Sequence, residues 1–148
     1  MTPGFQTQDW ETINAIDAEG RLISKFLKPV DFVAKDGTQY RIPAYQPTDY
    51  ASTPPEIWGA PLFLLPYGWW SLPSALHDSA YQNLLLEVQT DGTTHLADLA
   101  KADCDALLFE AMESIMPHPT AFQKSQMNEI YEGVMLLGWH AFKDDRNQ

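Results

Sequence analysis

The sequence predicts an α+β fold: a small N-terminal antiparallel sheet, a proline- and tryptophan-rich loop, then three helices. Three observations predict it. Short β-rich runs between Thr12 and Ile42 are broken by Glu19-Gly20 and Asp36-Gly37. The stretch from Ala44 to Pro73 holds Pro47, Pro54, Pro55, Pro61, Pro66 and Pro73, which excludes a long helix or a central strand there. Beyond it, apolar residues recur at helical spacing to about Phe142.

The sheet is the first element. TINAIDAEGRLIS turns at Glu19-Gly20, and PVDFVAKDGTQYRIP turns at Asp36-Gly37, where an Asp-Gly pair suits the positive φ angles of a tight hairpin. The crossing loop is too apolar for a flexible linker and holds one turn of helix at Pro55 to Trp58. Its LFLLPYGWWSLP stretch, Leu62 to Pro73, either closes the core or forms a self-association patch. Ser71 or Ser74 caps a first helix that runs to about Leu86. A turn or hairpin at Thr90-Asp91-Gly92-Thr93 separates it from a second helix, about Leu96 to Met116. Pro117-His118-Pro119 ends that helix, and Thr120 opens a third. Ile130, Val134, Leu137 and Ala141 share its stripe, with Met127, Tyr131, Met135 and Phe142 beside it, so the third helix reads as largely buried.

The 148 residues fit a single domain, 1–148, with 1–11 and 143–148 as loose ends. Hydrophobic residues make up 45%, enough for a core without staples. The net charge of −11 repels phosphate backbones, so nucleic acid is not an expected partner. Lys25, Lys28, Lys35 and Arg41 read as a solvated sheet face rather than a basic patch. Cys104, the single cysteine, excludes an internal disulfide and a cysteine-based zinc cluster, and reads as packing. The N-terminus lacks the basic and apolar regions of a signal peptide, and no segment has the ~18 apolar residues of a membrane span.

Candidate chemistry centres on LHDSAYQ, Leu76 to Gln82. His77 and Tyr81 stand four apart on one helical face, in a stripe that continues through Leu84, Leu85 and Val88. On the second helix, Ala102, Asp105, Phe109, Met112 and Met116 form a stripe with one carboxylate among apolar neighbours. Burial disfavours a charged carboxylate by several kcal/mol, so Asp105 needs a cation or several donors. The economical pairing is His77 with Asp105 across two antiparallel helices. One ring nitrogen is then fixed and the other is left as a general base. A core network of His77, Asp105 and Tyr81 that only holds two helices in register satisfies the same pattern, and both readings stay open.

Other sites are weaker. Asp49 and Ser52, in the TDYAS stretch Thr48 to Ser52, either enter the same cleft or form local turn bonds. His95 with Asp98 could join His77 around a metal, but no HExxH or HxxxH pair accompanies them. His118 reads as a loop residue and His140 as a helix C-terminal residue.

Taken together, TDYAS with the proline two residues on, LHDSAY and KADCDALLFEAM resemble a family of small proteins of unknown function found in tailed bacteriophages and prophages. The likeness spans about Ile42 to Phe142 and departs from the family pattern at Cys104, where alanine is usual. It implies a phage or prophage origin and an α+β fold. It also implies recurring polar residues at Thr48, Asp49, Ser52, His77, Asp78, Tyr81 and Asp105. The expected location is then host cytoplasm or virion, with a virion or host protein, or a second copy, as partner. LHDSAY and the CDALL around Asp105 are also similar to the His-Asp helix pair of phospholipase A2 enzymes. That likeness implies a hydrolase with His77 as base, Asp78 as a calcium ligand, and Asp105 with Tyr81 as the orienting shell; on the hydrolase reading the divalent cation is expected at Asp78 and Asp49. The glycine-rich calcium loop and the disulfide framework of those enzymes are absent.

Overall fold

The structure is a computed structural model that describes residues 1–6, 12–16, 22–48, 69–138 and 142–143. In chain order it contains β1 (Gly4–Phe5), β2 (Thr12–Ile16), β3 (Leu22–Phe26), β4 (Val30–Val33), β5 (Gln39–Ile42), β6 (Pro47–Thr48), α1 (Ser71–Tyr81), β7 (Leu86–Val88), β8 (Thr94–Leu96), α2 (Lys101–Ile115) and α3 (Ala121–Leu137). The fold is α+β, as expected. Its sheet is larger than the N-terminal third alone could make: five antiparallel strands in the order β1-β4-β5-β7-β8, beside a second sheet ordered β2-β3-β6.

Both N-terminal hairpins form. β2 pairs with β3 from Thr12↔Phe26 to Ile16↔Leu22, and its Glu19-Gly20 turn lies outside the described residues. β4 pairs with β5 from Val30↔Ile42 to Val33↔Gln39. At that turn Gly37 adopts φ +91°, Ala34 N–H donates to the Thr38 carbonyl at 2.9 Å, and the Asp36 carboxylate accepts from Thr38 N–H at 2.9 Å. Arg41 is not a free cation, because its guanidinium donates to both Asp31 oxygens at 2.7 and 2.8 Å.

The first helix is shorter than its periodicity suggests. Trp70 takes the N-cap position without a side-chain cap bond, so neither Ser71 nor Ser74 caps α1. At the other end Asn83 enters the left-handed region at φ +56°. Asn83 N–H donates to the Ala80 carbonyl at 3.1 Å and Leu84 N–H to the Ser79 carbonyl at 3.0 Å. That pair of bonds is the Schellman closure of a helix, with asparagine in the place usually held by glycine. Leu84, Leu85 and Val88 therefore do not continue the His77 stripe. Leu86 to Val88 instead form β7, which pairs with β5 and, through a turn with Gly92 at φ +88°, with β8.

Leu96 belongs to β8, so α2 starts at Lys101, five residues later than expected. Its buried face is also rotated. Lys101, Cys104, Asp105, Leu108, Ala111 and Met112 are buried, Ala102 is exposed, and Phe109 and Met116 are half-buried. α3 starts as expected, with a capping box in which Gln123 N–H donates to Thr120 Oγ1 at 3.2 Å and Thr120 N–H to Gln123 Oε1 at 2.9 Å. It is not largely buried. Met127, Ile130 and Val134 face inward, while Met135 is 44% and Leu136 70% exposed. Trp139, His140 and Ala141 lie outside the described residues.

Two apolar clusters hold these layers together. Phe26, Val30, Phe32, Ile42, Leu76, Leu85 and Ala111 pack between sheet and helices. Trp70, Leu108, Met112, Met127, Ile130 and Val134 fill the space where α2 meets α3. Trp70 therefore closes the core; residues 62–68 of the same stretch lie outside the described set. α1 is buried at ten of its eleven residues, polar ones included, so every polar side chain on it needs a partner. No helix among the described residues is long and apolar enough to cross a membrane.

Candidate functional site

His77 and Tyr81, one helical turn apart on α1, face Asp105 near the start of α2. His77 Nε2 lies 2.8 Å from Asp105 Oδ1, and Tyr81 Oη donates to the same oxygen at 2.6 Å. The His77 and Tyr81 rings lie 4.0 Å apart between centroids, tilted by 47°, and Phe142 packs edge-on against Tyr81 at 5.4 Å. The other carboxylate oxygen, Oδ2, accepts from Lys101 Nζ at 2.6 Å. Lys101 also donates to the carbonyls of Val134 and Met135, at 2.7 and 3.2 Å, near the C-terminal end of α3. Asp105 thus joins all three helices. Exposure is 6% at His77, 2% at Tyr81 and Asp105, and 4% at Lys101, so this is a desolvated charge cluster and not a surface ion pair.

Lys101 is the residue that sequence reasoning missed. The requirement that Asp105 find a cation or several donors was correct, and both are present. The signal that locates the cation is the spacing: Lys101 stands four residues before Asp105, on the same helical face. Lysine is ordinarily solvated, and here the packing of α3 over the start of α2 contributes to its burial.

The proton inventory follows from the partners. Burial pushes the Asp105 carboxyl up, but hydrogen bonds from His77, Lys101 and Tyr81 more than reverse this and leave it below its ordinary 3.8. Asp105 is an acceptor only, so the His77 nitrogen facing it carries the hydrogen, which fixes the neutral Nε2–H tautomer. Burial also pushes the His77 imidazolium pKa below 6.5, against the upward pull of Asp105, and the Lys101 charge adds to the fall. His77 is therefore neutral at pH 7. Nε2 is committed to Asp105, and Nδ1 makes no hydrogen bond among the described residues. Chemically, such an arrangement can take up a proton at Nδ1 while Asp105 stabilises the imidazolium that forms.

No family model, no curated protein and no solved structure matches this chain.

The remaining predicted residues are not gathered here. Asp78 is buried on α1 but sits about 100° round the helix from His77, off the Asp105 cluster. Thr48 is described by its backbone alone, paired with Ser24 at the edge of the second sheet. Asp49 and Ser52 lie outside the described residues. Among the described residues no three His, Cys, Asp or Glu side chains converge, so the described part of the site does not supply a divalent-cation cage. His95 is exposed on β8, bonded to Gln89 Nε2 at 2.7 Å and to the Leu96 carbonyl at 2.9 Å, and does not join His77. Cys104 is buried in the first apolar cluster, as packing requires. On the opposite side of α1, Gln46 Nε2 donates to Ser79 Oγ at 2.9 Å, a buried contact that no motif announced.

Proposed function

We propose that this chain is a phage or prophage protein in which His77 acts as the general base of a hydrolytic reaction. Nδ1 takes a proton from water as the water oxygen attacks the carbonyl carbon of a carboxylic ester, and the imidazolium returns that proton to the alkoxide that leaves when the ester C–O bond breaks. Asp105 stabilises the resulting imidazolium through Nε2, Tyr81 fixes the carboxylate, and Lys101 keeps it ionised. The observation that carries this reading is the division of labour on the imidazole: Nε2 is held by Asp105 at 2.8 Å while Nδ1 keeps its lone pair. The phage origin rests on the resemblance of the three motifs, and the acyl substrate class rests on the local likeness to the phospholipase helix pair.

A second reading is favoured by a different observation. His77 is only 6% exposed and Asp105 is saturated by three donors, which suits a non-catalytic virion or host-interaction protein whose motif holds the helices together. Two measurements separate the readings. Diethyl pyrocarbonate should modify His77 in the folded protein, located by mass spectrometry. A panel of activated carboxylic esters should be hydrolysed at a rate that His77→Ala abolishes and Asp105→Asn reduces by ~10²-fold or more without unfolding. Protection of His77 from the reagent, together with no turnover above the His77→Ala background, would establish the structural role instead.

A further inference from the structure

At the far end of α2 from His77, a cleft of about 450 Å³ opens between the β1–β4 edge of the large sheet and the α2–α3 pair. That volume falls within the ~300–1,000 Å³ typical of small-molecule sites. Its apolar wall is made by Phe32, Val33, Phe109, Met116 and Met127. Met116, half-buried at the cleft, is flexible and polarisable, whereas Met127 lies almost fully buried behind it, so the wall adapts at Met116 and leaves selectivity to the polar groups.

Those polar groups are not equivalent. On the α2 side, Glu110 and Glu113 are already engaged: Glu110 accepts from the Lys35 backbone N–H, and Glu113 lies 3.4 Å from the Lys35 ammonium. On the α3 side, Lys124 and Asn128 stand four residues apart on one face, and both line the cleft. Among the described residues, the Lys124 ammonium has no carboxylate within ion-pair distance, and the Asn128 amide makes no hydrogen bond. The cleft therefore offers an apolar body site next to two uncommitted donors.

We propose that this cleft binds a small apolar carboxylate. Its hydrocarbon portion lies against Phe109, Met116 and Met127, and its carboxylate takes Lys124 and Asn128. An ammonium head is opposed by Lys124 and has to compete with Lys35 for Glu110 and Glu113. A neutral head gains the apolar contacts but no charge-assisted bond. The site is independent of the His77 cluster, since α1 contributes nothing to it.

The test is titration of the full chain with decanoate, decylamine and decanol below their micellar concentrations at low salt, read by calorimetry and by NMR of the methionine methyl groups. Decanoate should bind about tenfold more tightly than either control and should shift the Met116 and Met127 methyls. Lys124→Glu, a change at an exposed position, should weaken decanoate by about tenfold at unchanged melting temperature. Decylamine or decanol binding as tightly as decanoate, decanoate leaving those two methyls unmoved, or binding insensitive to Lys124→Glu would each overturn the proposal.

Discussion

His77 and Asp105 make opposite bargains with burial, and their pH dependence follows from that. Burial lowers the His77 pKa, so at mildly acidic pH the unfolded chain takes up a proton that the folded chain refuses. Stability from this group is intact above pH 6.5 and is lost as pH falls, by ~1.4 kcal/mol per pH unit until the lowered folded value is reached. Asp105 is also lowered, from 3.8, by the hydrogen bonds it accepts; its contribution is present above pH 3.8 and is lost as pH falls through the folded value. Urea unfolding between pH 8 and pH 5 should show the first loss, and His77→Gln, which keeps a donor for Asp105 but cannot titrate, should flatten it. A His77 ring resonance that titrates at or above 6.5 would contradict this account.

The same cluster predicts strong coupling between substitutions. Asp105→Leu leaves Lys101 buried without its counter-charge and should cost about 3–5 kcal/mol. Lys101→Met leaves Asp105 uncompensated at similar cost. The two together, made with His77→Leu, should recover most of that loss, because apolar groups of matched shape replace a buried ionic network at little penalty. A double-mutant cycle for Lys101 and Asp105 by denaturant unfolding measures the coupling, and additive costs would mean that the ammonium and the carboxylate do not touch.

At the scale of elements, the close approach of the α3 C-terminus to Tyr81 depends on Gly138, the C-cap of α3. A Cβ there would come within 2.6 Å of Tyr81 Oη and would also meet the Val134 carbonyl, the group that accepts from Lys101. Gly138→Ala should therefore destabilise by roughly 1–3 kcal/mol, an overpacking cost. In Tyr81→Phe, which lacks the clashing oxygen, the added cost of Gly138→Ala should shrink. Thermal unfolding of the two single variants and the double variant checks it, and an unchanged cost in the Tyr81→Phe background would place the strain elsewhere. The elements also show where periodicity misleads. His77, Tyr81, Leu84, Leu85 and Val88 are all inward-facing by helical spacing, yet the helix stops at Tyr81. Asn83, an αL-tolerant residue after the last turn, is the local signal that stops the helix there. Short runs such as Leu86–Val88 and Thr94–Leu96 carry too few residues for a period of two to be seen, and they become strands because β5 presents an open edge to the first and the first presents its own edge to the second.

For the whole molecule, Trp70 ties the start of α1 to the α2–α3 core. It is 7% exposed and packs with Leu108, Met112 and Met127. Trp70→Glu should thus unfold the protein, by far-UV circular dichroism and a collapsed melting transition. A folded variant with altered sedimentation would mean instead that this residue serves an interface between copies. Composition, hairpin chemistry and helical spacing by themselves determined the α+β class, the Asp36-Gly37 turn, the Thr120 cap and the pairing of His77 with Asp105, because each depends on residues close in sequence or on a charge that has to be answered. The tertiary structure alone decided that β7 and β8 join the sheet, that Lys101 is buried, and that Lys101, paired with Asp105, ties α3 to the other two helices. Those outcomes depend on which surfaces meet. A lysine on a helix face is solvated or buried according to what packs over it, and the chain close to the lysine does not say what that will be.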